Sequence, residues 1–148
     1  MELILWRHAD AAPGEDDAAR PLTAKGVKQA AKMGKWLDRH LPGSCRILAS
    51  PAVRCVSTAE ALGRKFKTHA ALSVDSTPEQ IIAAINWPDS RETVMIVGHQ
   101  PLLGELMAML LFGEKKDLEI RKAHAAWLAH DAEHKVYVKA WMGPGFTK

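Results

Sequence analysis

Two histidines in this 148-residue chain each stand where an apolar run ends. Leu3-Ile4-Leu5-Trp6 leads into Arg7-His8, and Val94-Met95-Ile96-Val97 leads into Gly98-His99. Arg54 follows Ser50-Pro51-Ala52-Val53. A guanidinium stays charged at every relevant pH and grips phosphate oxygens in a fork. An imidazole switches between donor and acceptor near neutral pH. Two arginines gathered around two imidazoles would make a site for a phosphate.

For these residues to meet, the chain must deliver them to one edge. Continuous apolar runs of this length read as strands buried on both faces, as central parallel strands are. Ligands of open α/β sheets bind at the carboxyl ends of such strands. Helices that open just after Ser50-Pro51 and Gly98-His99 would add free N–H groups and positive dipole, which favour an anion.

The rest of the chain supports that frame. Strands are expected over residues 3–6, 46–49, 71–74 and 93–97, with a final pair over 123–130 and 135–141 joined by a turn at 131–134. The first helix opens on Thr23 as N-cap, carries Val27, Ala30, Gly34, Leu37 and Leu41 at helical spacing, and stops at Pro42-Gly43. The second has Ser50 as N-cap and Pro51 at its first position, and runs to about Phe66. Thr77-Pro78-Glu79-Gln80 has capping-box spacing and opens a third, which ends before Pro88. A fourth opens near Pro101. This alternation predicts a three-layer α/β/α sandwich with a parallel-rich sheet, made mixed by the last hairpin. The length suits one domain, residues 1–148. Val27, Gly34, Leu37 and Leu41 are expected in the core with Trp36 at their flank, as are Met107, Met109, Leu110 and Leu111. Lys115-Lys116 and Arg121-Lys122 read as solvated.

Four motifs in order give the chain a resemblance. Arg7-His8-Ala9-Asp10-Ala11, Arg20-Pro21-Leu22-Thr23, Ser50-Pro51-Ala52-Val53-Arg54 with Thr58-Ala59, and Gly98-His99-Gln100-Pro101 resemble the histidine phosphatase superfamily, which includes the phosphoglycerate mutases. The closer resemblance is to its small SixA-type branch of phosphohistidine phosphatases. That branch has glycine after the histidine, where this chain has Ala9. The resemblance implies the phosphoglycerate mutase-like fold and a domain without a cap insertion. It also implies chemistry without a metal or other cofactor. Neutral His8 would attack phosphorus and carry the phosphoryl group. Its other ring nitrogen would hold a proton on a backbone carbonyl. Arg7, Arg54 and His99 would donate to the non-bridging oxygens. Arg20 is placed at the rim. Asp10 is placed at the substrate and is the candidate source of a leaving-group proton, as the nearest carboxylate in the loop that also holds Glu15, Asp16 and Asp17. A phosphorylated imidazole leaves without a strong acid, so an uncapped site favours phosphohistidine on a protein. The implied partners are histidine phosphotransfer domains of two-component relays. Two alternatives stand beside this reading: a phosphatase of small phosphoesters, and a module that binds phosphate without turnover.

Other machinery is absent from the sequence. It has no P-loop, no Cys-x5-Arg loop and no Gly-x-Gly-x-x-Gly after a strand. The net charge of +3 suits an anion, but the lysines are spread out, and neither a nucleic-acid patch nor a membrane segment is expected. Cys45 and Cys55 read as reduced packing residues of a cytoplasmic protein. His130 and His134 flank a turn and do not read as a metal pair, while His40, His69 and His124 read as structural. Ser50 is expected to cap, and Thr58 and Gln100 to support the site by packing.

Overall fold

The apolar runs form the middle of a six-stranded sheet in the computed structural model, which describes residues 1–147. The strands are β1 (Glu2–Arg7), β2 (Arg46–Ala49), β3 (Lys67–Thr68), β4 (Val94–Gly98), β5 (Ala125–His130) and β6 (Val136–Met142). Their order is β3-β2-β4-β1-β5-β6. The first four are parallel to one another, β5 runs antiparallel to β1, and β6 runs antiparallel to β5. The sheet is therefore mixed and parallel-rich, as the alternation predicts.

Period-two alternation along the strands sorts the core into two layers. Ile4, Trp6, Met95 and Val97 face α1 (Ala24–His40) and α2 (Val53–Glu60), packing with Ala30, Met33, Leu37, Cys55 and Ala59. Leu3, Leu5, Val94 and Ile96 face α3 (Pro78–Ile85) and α4 (Leu102–Phe112), packing with Ile81, Ile85, Leu103, Leu106 and Met107. Burying each of the large aliphatic side chains contributes roughly 1.5–3 kcal/mol. The helix ends carry the expected caps. Thr23 Oγ1 accepts from Gly26 N at 3.0 Å, and Thr77 and Gln80 form a reciprocal capping box.

Several expectations are corrected. Residue 52, not Ser50, is the N-cap of α2; the Ser50 hydroxyl accepts from Ala52 N at 3.3 Å, just ahead of the helix, and from His99 Nε2 at 2.7 Å. α2 stops at Glu60 rather than near Phe66, and the chain turns at Gly63, whose φ of +78° suits glycine. The third strand is Lys67–Thr68, while Ala70–Leu72 form a 3-10 turn whose start is held by His69 Nδ1 accepting from Ala71 N. Periodicity cannot tell strand from helix in so short a run. Val27 is 57 % exposed, because the buried stripe of α1 is Gly26, Ala30, Met33, Gly34 and Leu37. In α4, Met107 is buried and Met109, Leu110 and Leu111 are half-buried. Cys45 and Cys55 are free thiols. No helix among the described residues is long and apolar enough to cross a membrane.

Candidate active site

β1 and β4 are paired with Arg7 opposite Gly98, so His8 and His99 leave the sheet side by side. Their ring centroids are 5.5 Å apart, edge to face at 62°. The backbone N–H of His8 donates to Gly98 O at 3.1 Å and ties the two strand ends together. The crossing segment before β5 frames the same place: Trp6 Nε1 donates to Ala123 O, and Ala123 N donates to His8 O.

The tautomers follow from the partners. His8 Nδ1 lies 2.8 Å from Ala9 O, and a carbonyl only accepts, so Nδ1 carries the proton and Nε2 the lone pair. Burial pushes the His8 pKa down to about 4, and the charges of Arg54, Arg7 and Arg20 add to that against the pull of the Ala9 carbonyl. His99 Nδ1 lies 3.2 Å from Arg54 Nη2, and a guanidinium only donates. His99 Nε2–H therefore donates to Ser50 Oγ at 2.7 Å. Burial, then Arg54 and His8, hold the His99 pKa down at about 3, with Asp17 opposing. Both imidazoles are neutral at pH 7.

The arginines are fixed by the backbone around them. Arg54, in the first turn of α2 and 3 % exposed, gives Nη1 to Asp17 O at 2.6 Å and Nη2 to Asp17 Oδ2 at 3.0 Å. Arg7 gives Nη1 to Ile120 O at 3.0 Å. The Nε–H groups of Arg7 and Arg54 are buried and have no acceptor among the described residues. A buried donor without an acceptor is costly, and both residues line the same cavity as His8. Arg20 donates Nε to Ala12 O and Nη1 to Asp17 Oδ1.

These groups line one cavity of about 380 Å³. Arg7, His8, Arg54, His99 and Arg20 all reach it, and Asp10 is not in its lining. The Asp10 carboxylate instead accepts from Thr23 Oγ1 at 2.7 Å and from Lys122 Nζ at 2.9 Å, and these bonds keep it below the usual carboxylate range. It is an anchor between the β1 loop and α1, and a poor proton donor. Asp17 takes the acidic place in the cavity, its pKa lowered by its bonds to Arg54 and Arg20. Ala9 is fully buried, and its N–H donates to Thr58 Oγ1 at 3.1 Å. Thr58 in turn donates to Arg54 O at 2.7 Å, so one hydroxyl links the turn after His8 to the helix that carries Arg54.

Lys122, Gln100 and Val74 also line the cavity. Gln100, expected to support the site by packing, braces the wall: Nε2 donates to Leu118 O while Oε1 accepts from Gly104 N. Lys122 is exposed, as expected of a solvated lysine, and also pairs with Asp10 across 112 residues, a contact that leaves no local signal. Asp17 had a weak one, three residues before Arg20.

Comparison with known proteins agrees with this geometry. Residues 3–79 match the family model of the histidine phosphatase superfamily, branch 1. A phosphohistidine phosphatase SixA homolog of Haemophilus influenzae is 29% identical over 165 residues, covering 94% of this chain and 100% of that protein. Phosphohistidine phosphatase SixA of Escherichia coli is 29% identical over 123 residues, covering 77% of this chain and 76% of its own. The structure of the protein histidine phosphatase SixA complexed with tungstate superposes with a TM-score of 0.84 at 25% identity, over 98% of each chain. The sheet, the arginine-histidine strand end and these matches converge: the chain belongs to branch 1 of the histidine phosphatase superfamily, among its small SixA-type members.

Proposed function

We propose that this protein is a metal-independent phosphohistidine phosphatase acting through a phosphoryl intermediate on His8, in one uncapped domain. The observation that carries the reading is the neutral His8 ring. Its Nδ1–H is anchored on Ala9 O, and its Nε2 is free in a cavity lined by Arg7, Arg54 and His99. Tungstate, the group bound in the related structure, is a tetrahedral oxyanion, and the same donors suit a phosphoryl group here.

In the first step, His8 Nε2 forms a bond to phosphorus as the bond from phosphorus to the substrate's imidazole breaks. That pair of electrons stays on the leaving nitrogen. An imidazole protonated on its other nitrogen leaves neutral, so no carboxylic acid is required. This fits the engagement of Asp10 elsewhere. Arg7 and Arg54 offer their unpartnered Nε–H groups to the non-bridging oxygens, where charge gathers. Water then attacks phosphorus, phosphate leaves, and His8 returns to its neutral form.

The test is phosphate release from a histidine-phosphorylated phosphotransfer domain and from an aryl phosphate, both in chelator, with wild type and His8→Ala. The expected result is fast release from the phosphohistidine protein and none with His8→Ala. Release mainly from the aryl ester would move the reading to small phosphoesters. Phosphate binding with no release from either would leave a binding module.

A further inference from the structure

α1 carries a feature that the cavity does not use. Lys25, Lys28, Lys32, Lys35 and Arg39 recur at intervals of three and four residues. At about 100° per residue they fall within an arc of about 80°, opposite the buried stripe, and they extend roughly 20 Å along the helix. Lysines that look dispersed in sequence are thus gathered on one face. The single acid of α1, Asp38, lies off that arc and is engaged by Arg64 at 2.7 Å. Lys25, Lys28, Lys32 and Lys35 make no ion pair among the described residues. Like charges at this spacing weaken a helix, so the stripe does not serve the stability of α1.

The stripe has a second wall. Lys25, Lys28 and Lys32 face Pro144 and Gly145 across a cleft of about 510 Å³. Phe146, in the same 3-10 turn, is 86 % exposed. A relay of side chains runs from the His8 cavity to the start of α1, beside this cleft. Lys122 lines that cavity and pairs with Asp10, Asp10 accepts from the α1 cap Thr23, and Lys25 is near enough to help hold the Asp10 carboxyl down.

We infer that the α1 stripe and the Pro144–Phe146 turn are the docking surface for an acidic face of the phosphorylated protein substrate, which rests on the phosphohistidine reading above. The lysines complement the partner's carboxylates and steer its approach. Phe146 is the apolar anchor, of the aromatic kind that carries binding energy in protein interfaces. A nucleic acid would meet the same charges, but the link to the cavity ties this surface to the substrate that enters it.

The test compares wild type with Lys28→Gln/Lys32→Gln/Lys35→Gln and with Phe146→Ser, leaving Lys25 and Asp10 intact. The substrates are a histidine-phosphorylated phosphotransfer domain of acidic pI and free phosphohistidine, at low and high salt. For the triple variant at low salt, kcat/KM on the protein should fall about tenfold with kcat retained. The salt dependence of wild type should vanish, and turnover of free phosphohistidine should not change. Phe146→Ser should lower kcat/KM on the protein at both salt levels. Equal kinetics of wild type and both variants on the protein would make the stripe plain solvated surface and overturn the inference. Loss on both substrates would mean action through the fold and would also overturn it. An RNA or duplex DNA oligonucleotide that binds wild type but not the triple variant, with protein kinetics unchanged, would reassign the surface. Failure of wild type on free phosphohistidine would instead remove the catalytic reading itself.

Discussion

His99 is held in the form least useful to a bound phosphate. Its Nδ1 accepts from Arg54, its Nε2–H is given to Ser50, and burial with Arg54 keeps its pKa at about 3. To donate to an oxyanion through Nδ1 it must gain a proton. A dianion in the cavity supplies the reason, because a nearby negative charge favours the imidazolium. Anion binding should therefore take up a proton. Tungstate makes the cleaner probe, since it stays a dianion around neutral pH and contributes no proton change of its own. Titration calorimetry in buffers of different ionisation enthalpy should show uptake approaching one proton per site at pH 6.5 to 7, and His99→Gln should abolish it. Buffer-independent heats with wild type would mean that His99 remains neutral and that the arginines alone hold the anion. His8 differs: its proton sits on the far nitrogen, against Ala9 O, so its Nε2 needs no change before attack.

Elements place these residues through close backbone approaches more than through long side chains. Gly26 in the first turn of α1 is the case nearest His8, since a Cβ there would run into the Asp10 carbonyl. That carbonyl accepts from Thr23 N at 3.0 Å, two residues after His8. Gly26→Ala should cost about 1–3 kcal/mol, as overpacking does. It should also lower kcat, because relief requires α1 or the His8 turn to move. Denaturant unfolding and initial rates check the two effects, and a variant with unchanged rate would show that α1 yields alone. The same contrast explains what the sequence made legible. β1 and β4 could be read because four apolar residues in a row end at a histidine, and Thr23 and Thr77 because caps are local chemistry. β3, with two residues, is too short to leave a pattern, and Ser50 reads as a plain cap because its bond to His99 spans 49 residues. Asp17 and Lys122 joined the cavity through contacts that no window of sequence contains. The α1 lysines were legible in principle, since their spacing is helical, but counting charge runs along the chain conceals a face.

For the molecule as a whole, the site works against the fold as pH falls. The unfolded chain's histidines take protons near pH 6.5, whereas folded His8 resists until about 4 and His99 until about 3. Between these values the unfolded state binds more protons, so stability declines as pH drops from about 6.5 towards 4. Asp10 and Asp17, lowered by their cationic partners, extend the loss below their ordinary range. A bound oxyanion changes this balance at His99. If it brings a proton to His99, linkage requires that protons also favour the oxyanion, by the same coupling free energy. Tungstate at about a hundred times its Kd should stabilise the protein by about 2.7 kcal/mol. At a fixed concentration its gain in Tm should be larger at pH 5.5 than at pH 7.5. Thermal unfolding with and without tungstate at both values checks this, and Arg54→Ala should remove most of the gain at each. A gain of equal size at both pH values would show that the anion is bound without a proton. That outcome would leave the permanent cations of the cavity, Arg7 and Arg54 with Arg20 and Lys122 at hand, to hold the oxyanion without His99.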